Sequence, residues 1–280
     1  MSDIKYQIST IKSQLASAYP ADEADALAWW IAEEVTGLSR TELQFGCKDT
    51  KNFAHTQEII ERLLRFEPIQ YIFGHTLWYG LDLKVTPATL IPRPETAELV
   101  EQISNLQSQI SNAPIRVLDI GTGSGCIGIA LKKAHPDWHV TGIDISPEAI
   151  AVARENALRN HADVNFWVAD IFSDEIEKTF NLIVSNPPYI CESEKKDMRP
   201  NVLDYEPSTA LFVPDSDPLL FYRRIASLFS NRPPVTLFFE INESYAAEVA
   251  AMMADLGYTG IRITKDIYGK DRIIEGRMAQ

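Results

Sequence analysis

The tetrapeptide Asn186-Pro187-Pro188-Tyr189 has the most distinctive chemistry in this sequence. Its two prolines remove two backbone N–H donors and hold the chain extended, so hydrogen-bond acceptors dominate this corner. The side-chain oxygen of Asn186 and the carbonyl oxygen of Pro187 can each accept one hydrogen of a planar –NH₂ group, and Tyr189 offers an aromatic face for stacking. The motif indicates a site for an amide or an exocyclic amine, with a rigid structural loop as the alternative.

Holding both hydrogens of such a nitrogen makes it a better nucleophile. Its lone pair is delocalised into the π system, and fixed acceptors can rotate or pyramidalise the nitrogen so that the lone pair points at an electrophile. Orientation of this kind supplies about 7–11 kcal/mol at best. If the electrophile is a sulfonium methyl group, the transfer needs neither a metal ion nor a strong general base, because the nitrogen loses its proton after the methyl group arrives.

A glycine-rich turn, DIGTGSG, spans residues 119–125. Successive glycines let the backbone approach a ligand closely, and a helix that begins near Gly125 presents amide N–H groups. A nicotinamide fingerprint that begins at Gly121 requires glycine at position 126, where this chain has Cys126. The turn argues against NAD, although a nicotinamide oxidoreductase stays as an alternative.

Acidic residues close the next two predicted strands. Asp144 follows Gly121 by 23 residues, where a carboxylate can accept hydrogen bonds from both ribose hydroxyls or, alternatively, cap the next helix. Asp170 is followed by Ile171 and Phe172, and this combination of one acceptor with apolar side chains suits the edge and face of an adenine. With the glycine turn, these strand ends predict a nucleoside pocket.

A strand–helix rhythm after Pro94 must position these residues. Strands are predicted at 116–121, 139–145, 164–170, 181–186 and 235–241, alternating with helices near 125–135, 146–160, 218–230 and 244–256. Two final strands follow, joined by a glycine-containing turn with no helix between them. The pattern predicts an α/β fold with a seven-stranded, mostly parallel Rossmann-like sheet that ends in an antiparallel hairpin.

The amino-terminal part of the chain has the periodicity of helices rather than strands. Apolar residues recur every three or four positions over 3–18, 22–36 and 56–66. Ser39 with Glu42 three residues later fits a capping box for a further short helix. This region carries no visible chemistry of its own, and a purely structural helical bundle is one interpretation of it.

Between Tyr71 and Ile91 apolar and polar residues alternate around two glycines, which predicts a β-hairpin. We therefore divide the chain into a helical domain at 1–70, a hairpin linker at 71–92 and the α/β domain at 93–280.

Composition excludes several classes of protein. The 280 residues are 45% hydrophobic and 23% charged, which is ordinary globular usage. With 26 basic against 39 acidic residues, the net charge of −13 makes non-specific nucleic-acid binding unfavourable. Cys47, Cys126 and Cys191 form no metal-binding pattern, and no apolar stretch reaches the length of a membrane span. We expect a cytoplasmic protein with reduced thiols and no metal site.

The motifs together resemble class I S-adenosyl-L-methionine-dependent methyltransferases that act on planar nitrogen. More specifically, five segments resemble the release-factor glutamine methyltransferase family: EPIQYIFG (67–74), LIPRPETAELV (90–100), LDIGTGSGCIGIAL (118–131), NPPYI (186–190) and GKDRIIEG (269–276). The resemblance covers about residues 65–280. Residues 1–60 are similar only in being helical, as is the substrate-binding domain of that family.

The resemblance implies methylation of the glutamine N5 in the Gly-Gly-Gln motif of class I peptide-chain release factors. It implies that the methionine part of the donor is held by Gly121, Thr122, Gly123, Ser124 and Gly125, its ribose by Asp144, and its adenine by Asp170 with Ile171. The transferred methyl group and the glutamine amide would meet at Asn186 and Pro187, beside Pro188 and with Tyr189 packed against them. Arg93, Pro94 and Glu95 would line or brace the pocket.

The chain departs from the family pattern in FFEINES (238–244). A glycine is expected after the pair Glu240-Ile241, and Asn242 stands there instead. The roles of Glu240 and Asn242 are open at this stage. Lys195 to Arg199, just after the Asn-Pro-Pro-Tyr motif, are expected to form a mobile loop that closes over the substrate.

The main alternative is an N6-adenine or N4-cytosine nucleic-acid methyltransferase, because a nucleobase amine poses the same orientation problem. Such enzymes hold a flipped base and carry a basic recognition surface. The densest basic neighbourhoods here, Lys195-Lys196 with Arg199 and the pair Arg223-Arg224, are small. A non-catalytic nucleotide-binding protein of the same fold is a further alternative, which donor binding without turnover would identify.

Overall fold

The computed structural model describes residues 4–45, 53, 56–105, 115–177, 179–230 and 234–278. Residue contacts divide the chain into two units. The first comprises Met1–Gly74 with Arg199–Tyr205, and the second comprises His75–Met198 with Glu206–Gln280. The sequence-based division did not assign Arg199–Tyr205 to the same unit as the amino-terminal helices.

Helices build the described part of the first unit. They are α1 (Ile4–Leu15), α2 (Ala21–Thr36), α3 (Arg40–Gln44), α4 (Thr56–Leu64) and α5 (Ile69–Phe73), with a one-turn helix at Pro200–Leu203. The periodic apolar residues of α1 are all buried, as the 3.6-residue repeat requires. The predicted capping box at α3 is confirmed, because the Ser39 side chain accepts from the Glu42 N–H and the Glu42 carboxylate accepts from the Ser39 N–H.

The predicted β-hairpin is present but shorter than its alternating pattern suggested. Strands β1 (His75–Trp78) and β2 (Leu81–Lys84) pair antiparallel across a two-residue turn. Tyr79 and Gly80 both have positive φ in that turn, as such a tight hairpin connection requires. Residues 71–73 are not in the hairpin, because they complete α5, which ends at Gly74 in the left-handed conformation.

One seven-stranded sheet forms the centre of the second unit. The remaining strands are β3 (Arg116–Ile120), β4 (His139–Asp144), β5 (Asn165–Val168), β6 (Leu182–Ser185), β7 (Ile190–Cys191), β8 (Phe212–Val213), β9 (Val235–Glu240), β10 (Thr259–Lys265) and β11 (Asp271–Met278). The sheet order is β10-β11-β9-β6-β3-β4-β5, and β11 runs opposite to the other six strands. Strands β7 and β8 pair with each other in a separate two-stranded sheet. The predicted mostly parallel sheet with a terminal antiparallel hairpin is confirmed.

Helices cover this sheet. They are α6 (Pro94–Asn105), α7 (Cys126–Ala134), α8 (Pro147–Arg159), α9 (Leu220–Phe229) and α10 (Ala246–Asp255). Every residue of the central strands β6 and β9 is buried, because two separate apolar clusters pack on the sheet. Strands β3, β4, β6 and β9 run parallel, so their carboxyl ends lie at one edge of the sheet, where ligands bind in sheets of this kind.

Gly142 in β4 has no room for a side chain. A Cβ atom there would lie 2.6 Å from two carbons of the Phe166 ring and 2.8 Å from the Thr122 hydroxyl oxygen. We expect Gly142→Ala to lower the free energy of unfolding by about 1–3 kcal/mol, measured by urea denaturation, because overpacking forces the core to shift. The same substitution made in a Phe166→Leu background should cost less. Equal stability of Gly142→Ala and the unaltered protein would contradict this packing argument.

Candidate active site

A cavity of about 440 Å³ opens at the carboxyl ends of the parallel strands, in the second unit. This size suits a ligand larger than a single amino acid. The predicted site residues that line it are Arg93, Gly121, Thr122, Gly123, Ser124, Asp144, Asp170, Ile171, Asn186, Pro187 and Pro188. Four other predicted site residues, Pro94, Glu95, Gly125 and Tyr189, are not part of its wall. The strand ends thus bring most of the predicted site together.

The glycine turn follows β3 and leads into α7. Gly121, Gly123 and Gly125 all have positive φ, and the Gly121 N–H donates to the Ile143 carbonyl oxygen at 2.9 Å. Gly125 also has a packing requirement, because an added Cβ would lie 3.0 Å from the Phe166 ring and 3.1 Å from Ala153. Gly125 therefore packs against the core on the side of the turn that faces away from the cavity.

Asp119 braces this turn from inside the protein. Its Oδ2 accepts hydrogen bonds from the Thr122 hydroxyl at 2.6 Å and from the Gly128 N–H at 3.1 Å. Its Oδ1 is buried and has no partner in the described part of the chain. Burial raises the pKa of Asp119 from its ordinary 3.8 to about 7, against the opposing effect of the Thr122 and Gly128 hydrogen bonds.

This raised pKa predicts a pH dependence of stability. Between about pH 4 and pH 7 the folded protein holds a proton at Asp119 that the unfolded chain releases, so stability falls as pH rises through this window. We expect urea denaturation at a series of pH values to show that Asp119→Asn lacks this loss of stability. Relative to the unaltered protein, its free energy of unfolding should rise across the window by at most about 4 kcal/mol. Identical pH slopes for the two proteins would contradict the assignment.

Asp144 lies half-buried at the end of β4, on the cavity wall. Its Oδ2 accepts from the Gly123 N–H and its Oδ1 from the Ser146 N–H, each at 2.9 Å. Burial raises the pKa of Asp144, while these backbone hydrogen bonds favour its charged form. The cap of α8 is instead the Ser146 hydroxyl, which accepts from the Ala149 N–H at 3.0 Å. With these partners and the Ile145 N–H, the Asp144 carboxylate still keeps accepting capacity for a ligand hydroxyl.

Asp170 organises the turn after β5. Its Oδ1 accepts from the Phe172 N–H at 2.9 Å and its Oδ2 from the Ser173 hydroxyl at 3.1 Å. Ile171 is buried, whereas the Phe172 side chain is 44% exposed and meets the Phe221 ring edge-on at 5.5 Å. These two side chains and Phe221 give this end of the cavity an apolar wall beside an acceptor.

The Asn186 side chain is held in one orientation. Its Nδ2 donates to the Thr96 hydroxyl oxygen at 3.4 Å, and the Thr96 hydroxyl donates to Glu240 Oε2 at 2.6 Å. Asn186 Oδ1 accepts no hydrogen bond from the described residues. Asn186 therefore presents an unused acceptor at the end of β6.

Tyr189 contacts β9 rather than the cavity. Its hydroxyl donates to Glu240 Oε1 at 3.1 Å, and its ring packs against the apolar cluster on the β9 side of the sheet. Burial, followed by the charge of Glu240, raises the pKa of Tyr189 well above its ordinary value. The stacking of a substrate amide on this ring stays a prediction.

Asn242 replaces an expected glycine, and the structure shows what its side chain does. Its Nδ2 donates to the Tyr189 carbonyl oxygen and to Glu194 Oε1, both at 3.2 Å. Its Oδ1 accepts from the Ser244 N–H at 3.0 Å and so caps the 3₁₀ turn at Glu243–Tyr245. A glycine has no side chain for these contacts, so this chain ties β9 to the Asn-Pro-Pro-Tyr segment by a further link.

Arg93 is fixed on the cavity wall by a residue that the sequence did not single out. Its Nη2 lies 2.6 Å from Oε1 of Glu206, whose side chain is 1% exposed and whose Oε2 accepts from the Ile91 N–H. Neighbouring Glu95 is half-buried and makes no hydrogen bond to the described residues. Arg93 is therefore both braced and exposed to the cavity, whereas Glu95 does not line the cavity.

Lys195 to Arg199, the segment expected to close over the substrate, starts within a 3₁₀ helix at Glu192–Asp197. The Lys195 ammonium lies 4.2 Å from the centre of the Phe212 ring, which is part of the cavity wall. Closure of this segment stays a prediction.

Cys126 and Cys191 are free thiols, and Cys47 lies outside the described residues. Burial raises the pKa of Cys126 to about 12, so its thiol is a poor nucleophile at neutral pH. Over the ranges that the structure describes, no three His, Cys, Asp or Glu side chains are grouped as metal ligands. Within the same ranges, no helix has the length and apolar character needed to cross a bilayer.

Solved structures share this fold at low sequence identity. A methyltransferase from Pyrococcus furiosus matches with a TM-score of 0.53 and 19% identity over 80% of this chain and 100% of that chain. The hMettl16 catalytic domain, solved with a MAT2A 3′UTR hairpin, matches with a TM-score of 0.56 and 17% identity over 72% of this chain and 76% of that one. The sheet with its cavity at the glycine turn therefore has the methyltransferase fold.

Sequence comparison identifies the family. The model for the methyltransferase small domain matches residues 97–203, and the model for the PrmC N-terminal domain matches residues 8–74. A release factor glutamine methyltransferase of Bacteroides thetaiotaomicron is 46% identical over 94% of this chain and 96% of its own. One of Flavobacterium psychrophilum is 40% identical over 93% and 94%. The chain belongs to the release factor glutamine methyltransferase family.

Proposed function

We propose that this chain methylates the side-chain amide nitrogen of the glutamine in the Gly-Gly-Gln motif of class I peptide-chain release factors. The observation that carries the proposal is the unused acceptor of Asn186 beside the Pro187 carbonyl, on the wall of the same cavity as Asp144. A cytoplasmic location is part of the proposal, since the substrate acts in translation.

The cavity fits S-adenosyl-L-methionine as the methyl donor. Asp144 would bind the ribose hydroxyls with the lone pairs that its backbone partners leave free. Asp170 and Ile171 would bind the adenine, and the turn from Gly121 would bind the methionine part. The donor supplies a methyl group on a positively charged sulfur.

Two oxygens at the end of β6 would bind the substrate amide. Asn186 Oδ1 and the Pro187 carbonyl oxygen each accept one hydrogen of the glutamine –NH₂ group. With both hydrogens held, rotation about the C–N bond is fixed and the nitrogen lone pair is directed into the cavity. The two prolines leave no competing backbone donor at this corner, so the amide nitrogen rather than its oxygen is bound there.

The helical unit would bind the rest of the release factor, in keeping with the match of residues 8–74 to the PrmC N-terminal domain. An intact release factor should then have a much higher kcat/KM than a short Gly-Gly-Gln peptide. Equal kcat/KM values for the two substrates would contradict a docking role.

Mass spectrometry with isotopically labelled donor tests the proposed reaction. An intact release factor should gain one labelled methyl group on the Gly-Gly-Gln glutamine, and a variant with alanine at that glutamine should gain none. Duplex DNA and RNA, assayed in parallel, test the nucleic-acid alternative. Methyl transfer to nucleic acid with none to the release factor would contradict the proposal.

A further inference from the structure

A buried carboxylate at the end of β9 connects the residues of the Asn-Pro-Pro-Tyr corner. Glu240 is 1% exposed, and each of its two oxygens accepts one hydroxyl: Thr96 at 2.6 Å and Tyr189 at 3.1 Å. Glu240 does not reach the cavity, whereas Thr96 lies in its wall. Burial raises the pKa of Glu240, while the Thr96 hydroxyl and the charge of Arg272 favour its carboxylate form.

The direction of these hydrogen bonds determines which atom Asn186 presents. A hydroxyl has one hydrogen, and Thr96 donates it to Glu240, so toward Asn186 the Thr96 oxygen can only accept. Only the Nδ2 of Asn186 can satisfy that oxygen, because Oδ1 has no hydrogen to give. Nδ2 must therefore face Thr96, and Oδ1 must face the other way.

The two ends of an asparagine amide have nearly the same shape but opposite hydrogen-bonding roles. If Asn186 flipped, its Nδ2 hydrogens would meet the hydrogens of a substrate amide, and the acceptor would be lost. The packing of Asn186 alone does not distinguish the two orientations, whereas the polarity that begins at Glu240 does.

Building on the proposed function, we propose that Glu240 is a positioning residue that, through Thr96, holds Asn186 with Oδ1 available to the substrate amide. Its second oxygen fixes Tyr189 in the same way. Glu240 and Thr96 touch no reacting atom in this scheme. Their contribution is to remove the non-productive orientation of Asn186 before the substrate arrives.

Single substitutions at Thr96 give the sharpest test. Thr96→Val keeps the shape and removes the hydroxyl, so kcat for release-factor methylation should fall about tenfold or more, with an unchanged Kd for S-adenosylhomocysteine. Thr96→Ser restores the hydroxyl and should stay within about threefold of the unaltered enzyme. Thr236→Val, at a buried threonine in β9, is the matched control and should leave kcat unchanged.

A double-mutant cycle tests whether Glu240 acts through Thr96. Glu240→Gln should also lower kcat, and the double variant with Thr96→Val should lose less than the product of the two single losses. Glu275→Gln, at a buried glutamate of β11, controls for the loss of a buried carboxylate and should leave kcat unchanged. Single losses that multiply would overturn the serial arrangement.

The outcomes separate this inference from the proposed function. If the unaltered enzyme transfers no methyl group to a release factor, the proposed function fails. If it does, and Thr96→Val has the same kcat, the proposed function stands and the positioning role of Glu240 is wrong. Should Glu240→Gln fail to fold, the Thr96 variants still test the proposal. A fall in kcat for Thr96→Val that Thr96→Ser restores would support it, and an unchanged kcat for Thr96→Val would overturn it.

Discussion

Replacement of Asn186 with alanine is expected to lower kcat for release-factor methylation on the order of 10³-fold. The substitution removes one of the two acceptors for the substrate amide, and the nitrogen lone pair is then no longer aimed at the donor. The donor should bind as before, because Asp144, Asp170 and the glycine turn are untouched. Single-turnover kinetics with saturating donor, together with calorimetric titration of S-adenosylhomocysteine, measure the two quantities separately.

Asn186→Asp is the matched variant for this prediction. Aspartate keeps an acceptor oxygen but has no amide hydrogen for the Thr96 hydroxyl, so its kcat should lie between those of the alanine variant and the unaltered enzyme. A fall in donor affinity without a fall in kcat for Asn186→Ala would place Asn186 in the donor site. That outcome would contradict its role at the substrate amide.

Replacement of Asp144 with alanine should act on the donor instead. A hydrogen bond to a charged group contributes about 1.5–3 kcal/mol, so losing even one ribose contact of Asp144 should raise the donor Kd roughly 10- to 150-fold. At saturating donor, kcat should change much less, because Asn186 and Pro187 still hold the amide. Calorimetric titration with S-adenosylhomocysteine measures the Kd.

Asp137→Ala, at an exposed aspartate before β4, controls for loss of negative charge and should leave the Kd unchanged. An unchanged Kd in Asp144→Ala as well would remove the ribose role from Asp144. Asn186→Ala and Asp144→Ala therefore have opposite signatures, the first in kcat and the second in donor Kd.

Hydrophobic pattern and turn chemistry sufficed to predict the α/β domain. The predicted runs at 139–145 and 181–186 became β4 and β6 to within two residues at each end. Parallel strands end at one edge, so residues just after them, such as Asp144 and Asn186, could be expected to meet in one cavity. The residue types of Asp144 and Asn186 and their positions directly after strands were enough to predict that both line this cavity.

Side-chain direction could not be predicted from spacing. Gly125 belongs to the glycine turn but packs against Phe166, and Tyr189 belongs to the Asn-Pro-Pro-Tyr motif but bonds to Glu240. Both directions depend on what the neighbouring strands and helices bury. A single sequence carries no local signal for that packing.

Long-range partners were also beyond the sequence. Glu206 braces Arg93 across 113 residues of chain, and Glu240 reaches Thr96 across 144. Thr96 lies in the LIPRPET segment and Glu240 in the segment that departs from the family pattern, and nothing in the sequence connects the two residues. The packing of α6 on β9 brings Thr96 to Glu240, and the pairing of β9 with β6 places Asn186 next to both.

A crystal structure with S-adenosylhomocysteine and a Gly-Gly-Gln peptide is the most direct measurement. It should show the glutamine side-chain nitrogen about 3 Å from both Asn186 Oδ1 and the Pro187 carbonyl oxygen, with the donor sulfur on the side of the Asp144 wall. A glutamine bound through its amide oxygen at this corner, or an Asn186 whose Oδ1 faces Thr96, would contradict the central claim.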